Sequence, residues 1–306
     1  TKASPLNFVK NAQEGIAEVF FNFAGTLSRG QSSELAIIYG RLALRLRPSF
    51  PLATVLLGRL FESLSRNAEA VELYKKVDRR SLVSWTARLS HASNLDQLGL
   101  TRDAIDLLKK MSKENKNHLE PLIRIGNLYR SQEKFIKAIK AYDKAIKRIV
   151  SLNKSHWNLY YARGIAFERS KKWSRAENDF MQALELNPQQ PLVLNYLGYS
   201  WVDRGVKLKK AQKMIEVAVK LRPNDGYIID SLGWVLFRLG EYKEATKQLE
   251  HAVVLRPEDP TINDHLGDAY WKVGRKSEAK FQWNRALSLS PKKELIPSIQ
   301  KKLREG

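Results

Sequence analysis

The stretch from Gly226 to Asp259, GYIIDSLGWVLFRLGEYKEATKQLEHAVVLRPED, runs directly into Pro260 to Lys293, PTINDHLGDAYWKVGRKSEAKFQWNRALSLSPKK, and the two align without a gap over 34 residues. Ile229, Leu232-Gly233, Leu236, Gly240, Ala245, Leu249, Ala252 and Pro257 in the first recur as Asn263, Leu266-Gly267, Tyr270, Gly274, Ala279, Trp283, Ala286 and Pro291 in the second. A fixed period of this length marks a repeat array. It overrides a reading of 306 residues as two ordinary domains, because a solenoid grows by stacking units and has no single closed core.

Within each unit the fourth, seventh, eighth and eleventh residues fall on one stripe of a first helix, and the twentieth, twenty-fourth and twenty-seventh on one stripe of a second. Gly or Ala at the eighth and twentieth positions lets two backbones approach, and the large residue at the twenty-fourth fills the space beside them. Gly99, Gly205, Gly240 and Gly274 stand where the first helix must end, a position that favours a residue without a Cβ.

Working back toward the N-terminus, Leu197-Gly198, Trp201, Ala211, Ile215, Ala218 and Pro223 mark a unit from Pro191 with one extra residue in its turn. Trp157 opens another with Tyr160, Gly164, Phe167, Ala176, Phe180 and Ala183, preceded by a four-residue insertion, Asn153 to His156. Leu119 opens a unit with Leu122, Ile125-Gly126, Tyr129, Ala138, Tyr142 and Ala145, and more degenerate units start near Trp85, Pro51 and Ala17. The unit from Ala17 has Gly40 where a large apolar residue is expected. Eight repeats are expected, near 17–50, 51–84, 85–118, 119–152, 157–190, 191–225, 226–259 and 260–293. Residues 1–16 read as a linker running into a partial helix, and 294–306, with Leu295, Ile296, Ile299 and Leu303 at helical spacing, as a capping helix.

These residues resemble the tetratricopeptide repeat. The resemblance implies an all-α fold, a right-handed α-solenoid of about eight helix-turn-helix units closed by the C-terminal cap, acting as a scaffold or adaptor for other proteins. The run LNYLGYSWVDRGVKLKKAQKMIEVAVKLRPNDGYIIDSLGWVLFRLGEYKEA is more specific. It resembles bacterial envelope proteins of this family, among them the lipoprotein adaptor of a carboxy-terminal processing protease, and so favours a bacterial periplasmic or envelope setting, with the cytoplasm as the alternative.

The same resemblance implies that the second, fifth, ninth, twelfth and thirteenth positions of the first helices line a concave groove and face the ligand. Their spacing also makes a helical stripe distinct from the packing stripe. In the last four repeats the candidate groove residues are Tyr161 and Ile165; Asn195, Tyr199 and Asp203; Tyr227, Asp230, Trp234, Phe237 and Arg238; and Asp264, Asp268 and Trp271. The stripe sets Glu168, Asp203, Asp230, Asp264 and Asp268 against Arg169, Arg238 and Lys272, a mildly acidic aromatic groove in a chain of formal net charge +21. Either these side chains anchor a peptide with apolar and basic residues, or they pack against neighbouring first helices or a terminal helix folding back. Asn127 follows Ile123 where chaperone-binding relatives carry Lys, so capture of a chaperone's acidic C-terminus is not expected.

Composition narrows the chemistry. With 53 Lys and Arg against 32 Asp and Glu the chain attracts acidic surfaces. Second-helix lysines such as Lys137, Lys140, Lys144, Lys209, Lys243 and Lys276 are expected to point outward, which gives an alternative reading as a binder of nucleic acid or anionic surfaces. No aromatic interleaving accompanies them, so nucleic acid is the weaker partner. There is no cysteine, hence no disulfide or thiolate metal site. His91, His118, His156, His251 and His265 lack metal-ligand spacing and read as surface residues; no metal or other cofactor is expected. No phosphate-binding loop or nucleophile elbow occurs, and no enzyme activity is expected. No run of about 18 apolar residues could span a bilayer.

Overall fold

A computed structural model describes residues 9–30 and 32–305. Its described residues form α-helices in antiparallel pairs, joined by short turns, with no strand. They fall into two compact units, one ending at Val150 and the other beginning at Ser151. The division coincides with the sequence insertion that interrupts the 34-residue period.

The first unit contains α1 (Ala12–Leu27) with α2 (Ser33–Leu46), α3 (Pro51–Ser63) with α4 (Asn67–Lys75), α5 (Ser84–Gln97) with α6 (Thr101–Glu114), and α7 (Glu120–Ser131) with α8 (Phe135–Ile146). Helix α1 starts at Ala12, within the stretch 1–16 expected to be a linker running into a partial helix, and is capped by the Asn11 side chain, which accepts from the Glu14 N–H. Residues 1–8 of that stretch lie outside the described residues. At Gly40 the space of the missing large side chain is taken by Leu57 of α3, 3.5 Å from where a Cβ would stand.

The second unit opens with a short 3-10 turn, Lys154–His156, at the insertion. It continues with α9 (Trp157–Arg169) and α10 (Trp173–Leu186), α11 (Pro191–Asp203) and α12 (Leu208–Leu221), α13 (Gly226–Arg238) and α14 (Tyr242–Leu255), α15 (Pro260–Lys272) and α16 (Lys276–Ser288), and ends in α17 (Ile296–Glu305).

The turns carry the period. A residue with positive φ ends the first helix of seven pairs: Ser65, Gly99, Glu133, Lys171, Gly205, Gly240 and Gly274. After each, the next N–H reaches back to a carbonyl five residues earlier, as in Arg66 to Phe61 and Glu241 to Leu236. This is the Schellman closure that satisfies orphan helix carbonyls. The extra residue after Gly205 is accommodated by a second left-handed residue, Lys207 at φ 52°.

Pair packing follows the small-against-large rule. A Cβ on Gly58, Gly164, Gly198, Gly233 or Gly267 would stand 2.5–2.8 Å from Tyr74, Phe180, Ile215, Leu249 or Trp283 respectively, and one on Gly126 would collide with Tyr142. The large partner in each case is the twenty-fourth-position residue of the same repeat. At the C-terminus Ile299 is fully buried, and Leu295 and Leu303 pack against the cluster formed by Leu266, Tyr270 and Trp283.

Candidate functional site

Because the packing stripes of α9, α11, α13 and α15 are spent on their second helices, the residues between those stripes are left to line space on the other side. There a cavity of about 470 Å³ opens in the second unit. Asn195, Tyr199 and Asp203 from α11 and Tyr227 and Asp230 from α13 line it, so five of the residues read from the sequence meet at one place. The walls add Glu168 and Arg169 from the end of α9, Tyr196 and Arg204, and Asp259 with Thr261 at the start of α15.

The cavity is electronegative. Four carboxylates, of Glu168, Asp203, Asp230 and Asp259, line it against the guanidinium groups of Arg169 and Arg204. Arg169 lies 3.6 Å from Glu168, and Arg204 lies 4.3 Å from the Trp173 ring centre. Asp203 has no ion-pair partner among the described residues. Burial pushes the Tyr199 phenol well above its usual range, and Asp230, Asp203 and Asp259 push it further. Tyr199 is therefore a neutral donor at physiological pH. Tyr196 is raised by burial and by Glu168, and its hydroxyl donates to Glu168 Oε2 at 3.2 Å. Asp259 is fixed by capping α15, accepting from the Thr261 and Ile262 N–H groups at 2.8 and 3.1 Å.

Behind the cavity, Asp230 meets His265 Nδ1 at 2.8 Å, and both residues are only 6% exposed. Contrary to the surface position expected for it, His265 faces α13: its ring stacks on Trp234 at 4.1 Å, and Trp234 stacks on Phe237 at 4.9 Å. Burial opposes protonation of His265, but Asp230, with Asp264 and Asp268, outweighs it and the net shift is upward. Trp234, half-buried between the rings of His265 and Phe237, lies outside the cavity lining.

The last repeat departs from the expected open stripe. Lys302 of α17 donates to both oxygens of Asp264 at 2.9 and 3.0 Å and to Asp268 at 2.8 Å. Trp283 Nε1 also donates to Asp268, at 3.0 Å. Seating Ile299 and Leu303 against Trp283 carries Lys302 onto these acids, so Asp264 and Asp268 share one ammonium supplied from within the chain. Phe237 and Trp271 pack against the same cluster. Lys276 is exposed, and its ammonium sits 3.0 Å from the Trp271 ring centre. A smaller recess of about 370 Å³ is left between Phe237, Asp268, Trp271 and Lys302.

The remaining candidates are dispersed. Tyr161 packs edge-on to Tyr196 with ring centres 5.9 Å apart, Ile165 is half-buried, and Arg238 is exposed with its guanidinium beside Gly205. The sequence reading passed over Tyr196, Arg204, Asp259 and Thr261. Asp259 carried a usable signal, since Asp before Pro at a helix start is a capping pattern. Among the described residues no group of three His, Cys, Asp or Glu is arranged to hold a metal ion.

Family models described as TPR repeat and tetratricopeptide repeat match residues 233–274, and 157–190, 119–149 and 261–293, respectively. A TPR repeat-containing protein of Pseudomonas aeruginosa is 28% identical over 186 residues, 60% of this chain and 31% of that protein. A human protein O-mannosyl-transferase is 25% identical over 176 residues, 58% of this chain and 20% of its own length. The chain thus covers less than a third of either curated relative. Among solved structures, one of an APC/C Cut9–Hcn1 hetero-tetramer has a chain 16% identical, with a TM-score of 0.65 over 96% of this chain and 57% of that one, a likeness of fold alone.

Proposed function

We propose, from the premise that this chain is built of tetratricopeptide repeats, a protein-interaction scaffold in general, that it is a non-catalytic adaptor whose second unit holds a partner peptide on its first helices. The observation that carries the reading is the cavity around Tyr199, where carboxylates outnumber guanidinium groups two to one in a strongly basic protein. A lysine or arginine side chain fits it. The cation would approach Asp203, while the aliphatic stem lies along Tyr227 and Tyr199, an arrangement in which long basic side chains bury their methylenes. Asp203 is exposed at the cavity mouth, so a cation can pair with it without the large desolvation cost of a buried pair.

A non-catalytic role is favoured by the way these groups are engaged. Asp230 is committed to His265, Asp259 caps a helix, and the Tyr199 phenol is held protonated. The cavity therefore offers acceptors and a donor for recognition, with no paired base and nucleophile.

The test is selection from a random peptide library on the full chain. Peptides with Lys or Arg next to an apolar residue should be enriched, and Asp203→Asn with Tyr227→Ala should weaken them at least tenfold. Enrichment of peptides without cations, or unchanged affinity in the double variant, would refute the site.

A further inference from the structure

A second cavity, of about 530 Å³, lies in the first unit between the second helices α6 and α8, with α7 beneath it. Its floor is apolar: Leu122, Ile125 and Tyr129 from α7, and Ala141 from α8. Its rim is cationic. Lys109 and Lys113 stand on the α6 side, and Lys137, Lys140, Lys144 and Arg148 follow one stripe along α8 and just past its end. No carboxylate lines it. Lys109 pairs with Asp106 at 3.0 Å, on the α6 side of the rim.

The opening has a cause in the sequence. Ala141 stands eight residues after the left-handed Glu133. Counted the same way from the other turns, and allowing for the extra residue after Gly205, the slot holds Leu73, Leu107, Asp179, Met214, Gln248 and Gln282. Only here is the slot as small as alanine, so the floor is lowered where the lysines converge. Like charges this close repel one another, and an anionic occupant would relieve that repulsion.

We infer that this groove is a docking site for an acidic peptide segment that carries a large apolar side chain, independent of the cavity around Tyr199. The apolar side chain enters over Ala141 and Ile125, and flanking Glu or Asp residues meet Lys137, Lys140 and Lys144. A single-stranded nucleic acid fits less well, because it needs a row of stacking rings and the groove supplies Tyr129 alone. An anionic membrane fits less well too, because the apolar surface is recessed and not raised.

The experiment uses the full chain and fluorescence anisotropy with three labelled probes at physiological salt. These are a 16-residue peptide of glutamates interrupted by two phenylalanines, a polyglutamate of equal charge, and a 16-nucleotide mixed-sequence RNA. The phenylalanine peptide should bind at least tenfold tighter than either of the others. Ala141→Leu, which installs the residue native to the same slot at positions 73 and 107, should weaken that peptide at least fivefold without altering the helical circular dichroism. Lys140→Glu with Lys144→Glu should weaken it at least tenfold, and Lys243→Glu with Lys247→Glu, the same charge change on α14, should not. Equal binding of polyglutamate, tighter binding of RNA, or indifference to Ala141→Leu would overturn the inference, since each would mean a diffuse basic surface and not a groove.

Discussion

His265 of α15 holds Asp230 of α13 at 2.8 Å across the boundary between the last two repeats, with the Trp234 ring stacked over the imidazole. The groups facing this imidazole are Asp230, Asp264 and Asp268, and together they raise its pKa above 6.5 in spite of burial. A histidine raised in the folded state contributes stability fully below pH 6.5, and loses it as pH rises through the folded value. The melting temperature of the wild type should therefore fall from pH 6 into the alkaline range more steeply than that of Asp230→Asn. The gap between the two proteins should narrow as pH rises. Melts at several pH values check this, and a constant gap would mean that His265 does not titrate across the range.

Gly233 admits no side chain, since a Cβ would stand 2.5 Å from Leu249 Cγ and 3.3 Å from the Leu249 backbone nitrogen. Gly233→Leu should destabilise the second unit by roughly 1–3 kcal/mol or more, as overpacking does. Lys243→Ala, on the exposed side of α14, should change stability by less than about 0.5 kcal/mol. Denaturant melts of the two variants side by side test the packing rule, and equal midpoints would contradict it.

Lys302 makes the third case. Its removal leaves Asp264, 4% exposed, beside Asp268 with no ammonium. Loss of one partner of a fully buried pair costs about 3–5 kcal/mol, and Lys302 is partly exposed, so roughly 1–3 kcal/mol is expected for Lys302→Ala. Burial and Asp268 hold Asp264 above its ordinary value of 3.8. Acidification should then protonate Asp264 early and shrink the cost of the variant. A cost that stays constant from pH 7 to pH 4 would show that the Lys302 charge is not what matters.

What the sequence makes legible, and what it hides, can be read from the same residues. Gly99, Gly205, Gly240 and Gly274 announce their turns, because glycine is the residue that enters the left-handed region without strain. Ser65, Glu133 and Lys171 adopt the same conformation and carry no such mark. They are found only by counting from the glycines. The aromatic and acidic stripe is equally visible, but its division into an open part around Tyr199 and a covered part around Trp271 depends on α17. Lys302 sits in a tail of similar basic residues, and nothing in their order says which one reaches Asp264. The burial of His265 was hidden for a different reason: it stands on neither the packing stripe nor the ligand-facing stripe, and only the close approach of α13 encloses it.

Tyr227 and Trp234 separate binding from stability. Tyr227 lines the cavity and is 49% exposed, with Arg256 5.1 Å from its ring centre as its one ring partner among the described residues. Trp234, seven residues on, lies between the rings of His265 and Phe237. Truncating a half-buried stacked ring forfeits part of the 3–5 kcal/mol that a fully buried one is worth, so Trp234→Ala should cost roughly 2–3 kcal/mol of stability. Tyr227→Ala should cost less than about 1 kcal/mol, since about half of the side chain already faces water. For a peptide selected on the wild-type chain the order reverses. Tyr227→Ala should weaken binding by about 1.4 kcal/mol or more, a tenfold change, whereas Trp234→Ala should do so only to the extent that it loosens α13. Melting curves and binding isotherms for both variants, measured below the transition of the less stable one, give the four numbers needed. If Trp234→Ala abolishes binding while the melting temperature holds, the ligand lies along Trp234 and Phe237, and the cavity around Tyr199 is not the site.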